Sequence, residues 1–195
     1  MSETSETSVV VVYHSGYGHT ETIAKTIAQG AESVEGVKAT LIKADDENKD
    51  WDAMAAADAI IFGSPTYMGS VSGQFKMFMD ESSKVWFTQG WKDKIAAGFT
   101  VSGSQSGDKL NTLIQLQVFA AQHSMVWVPL GILPGNNSST ASVEDLNRLG
   151  AATGLMAQAN TDQGADVAPQ ATDHRTAAKF GEHVAASAKR WAVAA

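Results

Sequence analysis

The sequence predicts a doubly wound α/β domain on a five-stranded parallel sheet. Three observations predict it. Short β-branched or aromatic runs recur along the chain, helical stripes lie between most of them, and the first run leads through a glycine-bearing polar loop into a helix. Strands buried on both faces read as such continuous apolar runs. Alternation with helices implies crossover connections and helices on both faces of the sheet.

The runs are VVVVY at 9–13, ATLI at 39–42, AIIF at 59–62, IAAGFTV at 95–101 and MVWVPL at 125–130. Over 20–34, Ala24, Ile27, Ala28 and Ala31 form one helical stripe. Phe75, Phe78 and Met79 do so over 72–85, and Leu113, Leu116 and Ala120 over 108–122. Ala177, Phe180, Val184, Ala188 and Trp191 mark a last helix over 172–193. DDENKDWDAMAAAD, between the second and third runs, holds a shorter helix. Residues 131–171 do not fit the alternation. They are rich in Gly, Ala, Asn, Ser and Gln, with one weak helical patch, SVEDLNRL. A connection that long inside a compact domain is usually functional or mobile. The expected organisation is a disordered tail over 1–7 and a single domain over 8–195.

Composition excludes several functions. The chain has 195 residues, a net charge of −7 and 44% hydrophobic residues. That charge argues against a nucleic-acid surface, which needs clustered Lys and Arg. Without cysteine there is no disulfide, thiolate catalysis or cysteine-ligated metal. No metal site is expected. The start, MSETSETS, has no apolar core of a signal peptide, and no apolar run reaches membrane-spanning length. A cytoplasmic protein is expected.

Ligands of open parallel sheets bind beyond the carboxyl ends of the strands. Three such ends carry chemistry. HSGYGHT, residues 14–20, offers backbone amides, the hydroxyls of Ser15 and Thr20 and a helix start, with Gly16 and Gly18 permitting close approach. It can hold a phosphate without a cation. It lacks the Lys of a Walker loop, and Glu21 stands where a dinucleotide fingerprint needs its third glycine. GSPTYMGSVSG, residues 63–73, offers Pro65, Thr66 and Gly69 as a stiff backbone and Tyr67 and Met68 as flat or polarizable surface. SGSQSGD, residues 102–108, is amide-rich and suits ring carbonyls. One phosphate loop and two ring-holding loops point to flavin mononucleotide (FMN).

YHSGYGHTETIA, IIFGSPTYMGSVSGQFKMFMD, VWFTQGWKDKIA, FTVSGSQSG and QHSMVWVPLG occur in that order. In them the sequence resembles the WrbA-like NAD(P)H:quinone oxidoreductases, in the flavodoxin-like, NADPH-dependent FMN reductase group. The resemblance spans roughly residues 8–131. It implies a flavodoxin-like domain, with the expected strand order 2-1-3-4-5, that passes two electrons from NADPH or NADH, through FMN, to a quinone or similar small acceptor. Ser15, Gly16, Tyr17, Gly18, His19 and Thr20 would wrap the phosphate, and Tyr17 would also meet the nicotinamide. Pro65, Thr66 and Tyr67, with Met68 and Gly69, would line the ring. Ser102, Gly103, Ser104, Gln105, Ser106 and Gly107 would take its pyrimidine edge. His123 would lie near the flavin and Trp86 would wall the substrate pocket. The family commonly reads PTRFG where this chain reads PTYMG.

Plainer readings stand beside these. His14 reads as structural, and Trp51, Trp127 and Trp191 as packing. Trp86, Phe87 and Trp91 read as an apolar cluster at a subunit contact, so a homodimer or homotetramer is expected. A flavodoxin-type electron carrier is the alternative function, and the acidic charge suits it.

Overall fold

The computed structural model describes residues 6–194. Of the expected tail, residues 1–5 lie outside these, and Thr7 already belongs to a strand. The chain runs β1 (Thr7–Tyr13), α1 (His19–Glu32), β2 (Val37–Lys43), α2 (Trp51–Ala56), β3 (Ala59–Tyr67) and β4 (Ser70–Val71). It continues through α3 (Gly73–Glu81), α4 (Ser83–Phe87), β5 (Ile95–Ser102), α5 (Lys109–Gln122), β6 (Val126–Trp127), β7 (Leu155–Gln158) and α6 (Ala171–Ala194).

The sheet order is β2-β1-β3-β5-β6, parallel along that path. This is the expected doubly wound order. Side chains alternate between the faces, as the pleat requires. Val9, Val11, Ile61 and Phe99 pack with α1 and α6. Val10, Val12, Ile60 and Phe62 pack with Met54, Phe75, Phe78 and Leu116 on the other side. α1 and α6 meet backbone to backbone. A Cβ on Gly30 would lie 2.0 Å from the Ala178 carbonyl oxygen, and one on Gly181 2.0 Å from that of Ile27.

The fifth sheet position differs from expectation. The run at 125–130 pairs with β5 only through Val126 and Trp127. The chain then leaves the sheet, and β7 returns to pair with Phe99–Ser102 of the same β5. One strand position is thus split by an excursion over 128–154. The Trp127 indole donates to the Thr153 carbonyl at 2.8 Å, and Leu130 N–H to Ala152 at 3.0 Å, which closes the neck of the excursion. Gly154 resumes the strand where any side chain would strike the Gly98 carbonyl, 2.4 Å from the Cβ position. SVEDLNRL forms turns, not a helix. Asn147, left-handed at φ 52°, spends its amide on the carbonyls of Ile132 and Ala151 and on the Ala151 N–H.

Trp91 is fully buried between Phe78, Phe119 and Phe62, so it belongs to the core and not to a surface cluster. Trp86 and Phe87 remain exposed. Trp51 stacks on Phe78, as a packing role requires. No helix of the described residues is long and apolar enough to cross a membrane.

Candidate functional site

The carboxyl ends of β1, β3 and β5 open into a cavity of about 590 Å³. Ligand pockets run roughly 300–1,000 Å³. Its walls include Ser15, Tyr17, His19, Thr20, Pro65, Thr66, Tyr67, Ser102 and Gly103. The three loops are therefore brought together. Gly16, Gly18, Met68, Gly69, Ser104, Gln105, Ser106 and Gly107 belong to the same loops without forming this wall. Met68 is fully exposed, and Gln105 and Ser106 border a neighbouring cleft.

The first loop is built as an anion cradle. Gly18 caps α1 at φ 89° and has no capping side chain. The first amides of a helix have no intrahelical acceptor. Here Glu21 N–H is taken by Ser15 Oγ at 3.1 Å. Among the described residues, the amides of Tyr17, Gly18, His19 and Thr20 meet no acceptor. Neighbouring free donors at the positive end of a helix suit a phosphate. Glu21, the nearest acid, is turned outward to Lys25 and Lys43 at 2.8 and 3.5 Å. These neighbours hold its carboxyl below the usual range, the hydrogen bond to Lys25 first.

The second loop is a tight hairpin. Thr66 pairs with Val71 and Tyr67 with Ser70 across a two-residue turn. Met68 and Gly69, at φ 49° and 78°, are both left-handed, as the favoured hairpin turn demands. Asn111 donates to the Gly69 carbonyl at 2.7 Å. The Thr66 hydroxyl is committed inward, 2.7 and 2.8 Å from those of Thr100 and Thr112. Tyr67 spans the cavity toward Gly16 and meets Tyr17 edge-on at 6.3 Å. Burial, then Tyr17, pushes its phenol pKa up.

The third loop folds over a residue that sequence reasoning missed. Lys109 is fully buried and bonded to Ser102, Ser104 and Gln105. The signal was available, because Lys109 sits in phase with Thr112, Leu113 and Leu116 on the buried stripe of α5. Gln158 on β7 was also missed. It donates to the Gly103 carbonyl at 2.9 Å, and its own N–H is held by Asp173. Ala159, Thr161, Gln163 and Gly164 close the cavity from the stretch after β7, and His19 Nε2–H donates to the Gln163 carbonyl at 2.8 Å. They lie in the 131–171 stretch that the sequence marked as a long functional or mobile connection, but no residue of it stood out individually.

His14 is structural. It is buried, and its Nδ1 lies 2.9 Å from Ser72 Oγ, tying β1 to the start of α3. His123 and Trp86 are not at this cavity. They line a different groove, of about 420 Å³. α5 begins beside the third loop and runs 14 residues before His123, a rise of about 20 Å. Within one chain the two residues therefore sit at the opposite end of the sheet. The Ser82 hydroxyl gives its proton to the Met79 carbonyl, so His123 must donate Nε2–H to Ser82 Oγ, 2.9 Å away. Its Nδ1 is a buried acceptor without a partner.

Burial pushes His123 down to about 4. An unfolded chain protonates it below about 6.5, and the folded chain resists. Its contribution is therefore complete above pH 6.5 and is lost as pH falls toward 4. Wild type should lose about 2–3 kcal/mol from this residue between pH 7 and 4.5. Urea midpoints for wild type and His123→Gln at both values check this. The variant should lose less on acidification by that amount, and parallel losses would contradict it.

With this geometry in place, the comparisons with known proteins decide the family. The family model described as NADPH-dependent FMN reductase matches residues 8–139. The chain belongs to that family. It is 44% identical to Flavodoxin FldP of Pseudomonas aeruginosa over 164 residues, 82% of this chain and 85% of the relative. It is 36% identical to Quinone-oxidoreductase QR2 of Triphysaria versicolor over 143 residues, 64% of this chain and 70% of the relative. A flavodoxin, WrbA-like protein of Agrobacterium tumefaciens superposes with a TM-score of 0.74 at 43% identity, covering 94% of this chain and 98% of that one. The fold is flavodoxin-like, and membership supports FMN as the bound group. The free amides of residues 17–20 fit its phosphate, and the cavity between Pro65–Tyr67 and Ser102–Gly103 fits a planar ring.

Proposed function

We propose that this FMN reductase family member transfers two electrons from NADPH or NADH to a quinone or similar small acceptor. FMN supplies the redox chemistry when bound. The chain's residues bind and orient it. The amides of 17–20 and the hydroxyl of Thr20 would hold the phosphate, Pro65–Tyr67 would form one wall, and Ser102 and Gly103, the part of the third loop that reaches the cavity, would face the ring carbonyls. Tyr17 and Tyr67 give flat apolar surface against which a nicotinamide and then a quinone can lie.

The observation that carries this reading is the fixed hairpin. A one-electron carrier benefits from a peptide beside the ring that can turn its carbonyl toward flavin N5. Here both turn residues already hold left-handed angles, the flanking pairs are closed, and the Gly69 carbonyl is occupied by Asn111. Turning it over would break that bond. A second reading, a flavodoxin-type carrier, is favoured by the name of the relative at 44% identity and by the net charge of −7.

Steady-state oxidation of NADPH or NADH by the FMN-loaded protein with a benzoquinone separates them. The expected result is sustained turnover with no added protein. Turnover that appears only after a separate reductase is supplied assigns the protein to the carriers.

A further inference from the structure

The third loop is wrapped around an uncompensated cation. The Lys109 ammonium has no accessible surface. It donates to Ser102 Oγ at 2.7 Å, the Ser104 carbonyl at 2.7 Å and the Gln105 carbonyl at 2.8 Å. All three of its protons are used. Ser102 Oγ closes the ring of bonds by donating to the Ser104 carbonyl at 2.9 Å. Gly107 and Asp108, left-handed at φ 55° and 56°, turn the chain back into α5 above the amine.

No carboxylate is within ion-pair distance of this amine among the described residues. Asp173, the acid that acts on it, is already spent. Its two oxygens bind Arg148 at 2.8 and 2.9 Å, with both side chains buried. Lys109, Arg148 and Asp173 together leave one net positive charge. A buried ammonium facing only neutral oxygens is costly. A neutral residue could fill an apolar helix position without that cost, so the charge calls for a use.

Ser102, which accepts from the amine, and its neighbour Gly103 form part of the cavity wall. We propose that Lys109 is a positioning residue that shapes the 102–107 loop and holds a positive charge behind it, favouring the reduced, more negative form of the bound cofactor. This rests on the FMN reading above. The neutral oxygens orient the amine and leave its charge unquenched, and a low-dielectric surround lets that charge act through the thickness of one loop. Burial pushes the amine down to about 8, with Asp173 raising it and Arg148 lowering it. The charge is therefore present at neutral pH and fades above it. By reciprocity, a more negative cofactor raises the affinity of Lys109 for its proton.

The test uses wild type, Lys109→Met and Lys109→Arg, each loaded with FMN. The midpoint potential is read spectroelectrochemically from pH 6.5 to 9.5, and FMN affinity by fluorescence titration. At pH 7, Lys109→Met should weaken reduced-FMN binding about tenfold more than oxidised-FMN binding, a drop of about 30 mV for a two-electron couple. The wild-type midpoint should steepen just above pH 8 and converge with that of Lys109→Met by pH 9.5. Lys109→Arg, which keeps its charge, should not converge. Equal weakening of both forms at every pH would reduce Lys109 to a structural clip and overturn the proposal. If Lys109→Met does not fold, a wild-type profile without the added slope overturns it equally. Wild type that takes up no FMN would overturn the FMN reading and this proposal together, and the titration shows which has failed.

Discussion

Gly18→Val should cost FMN affinity at least about 100-fold, roughly 3 kcal/mol. Gly18 caps α1 at φ 89° and ψ −24°. A left-handed angle costs an L-residue about 1–2 kcal/mol, and a β-branched one is an outlier there. Space is also lacking, because a Cβ would lie 2.9 Å from that of Ala165. The loop can relieve both only by turning, and turning misaims the amides of Gly18, His19 and Thr20. Each hydrogen bond to a charged group contributes about 1.5–3 kcal/mol, so misaligning two exceeds the strain itself. Thr20→Ala should cost less, about 1–3 kcal/mol, because it removes one donor and leaves the amides in place. Fluorescence titration of apoprotein with FMN measures both. Unchanged affinity in the pair would put the phosphate elsewhere.

Gly181→Ala should destabilise the fold by about 3 kcal/mol, against the usual benefit of alanine in a helix. That benefit is about 1 kcal/mol. It is outweighed because the new methyl would lie 2.0 Å from the Ile27 carbonyl oxygen and 2.9 Å from the Ala31 nitrogen. These are backbone atoms of α1, with no rotamer to swing away. The helices must separate, which loosens Ile27, Ala31, Ala177 and Phe180 in one core. Overpacking costs about 1–3 kcal/mol, occasionally more. Gly30→Ala meets the Ala178 carbonyl in the same way. For a chain of this size the melting temperature should fall by about 6–12 °C, at 2–4 °C per kcal/mol. Thermal melts of both variants decide it, and a rise in either would mean that the helices part at little cost.

The sequence announced the elements that carry strong periodicity. α1, α5 and α6 lie where their stripes placed them, and β1, β2, β3 and β5 lie on the first four apolar runs. Their signals are local, since burial on a fixed face imposes a fixed spacing. The loops 14–20, 63–73 and 102–108 were legible for a related reason. Glycine, proline and hydroxyl residues at a strand end serve few other purposes. What failed was whatever depends on distant partners. β7 reads as an unremarkable LMAQ and becomes a strand only because β5 has an edge left open beyond Ala96. Trp91 reads as one of an exposed apolar cluster with Trp86 and Phe87, and is core because Phe62, Phe78 and Phe119 converge there.

The sequence by itself determined the strand runs, the helices between them and the three loops that meet above β1, β3 and β5. Composition and short-range spacing suffice for these. Only the tertiary structure decided that His123 and Trp86 lie a helix length away from those loops within one chain. It alone decided that Lys109 and Gln158 hold the third loop, and that the stretch after β7 closes the cavity. The physical reason is that a side chain's partners and local dielectric are set by the residues folded around it. Lys109 gains its partners from a loop bent back over α5, and its one electrostatic counterweight, Asp173, comes from a helix that starts more than sixty residues later.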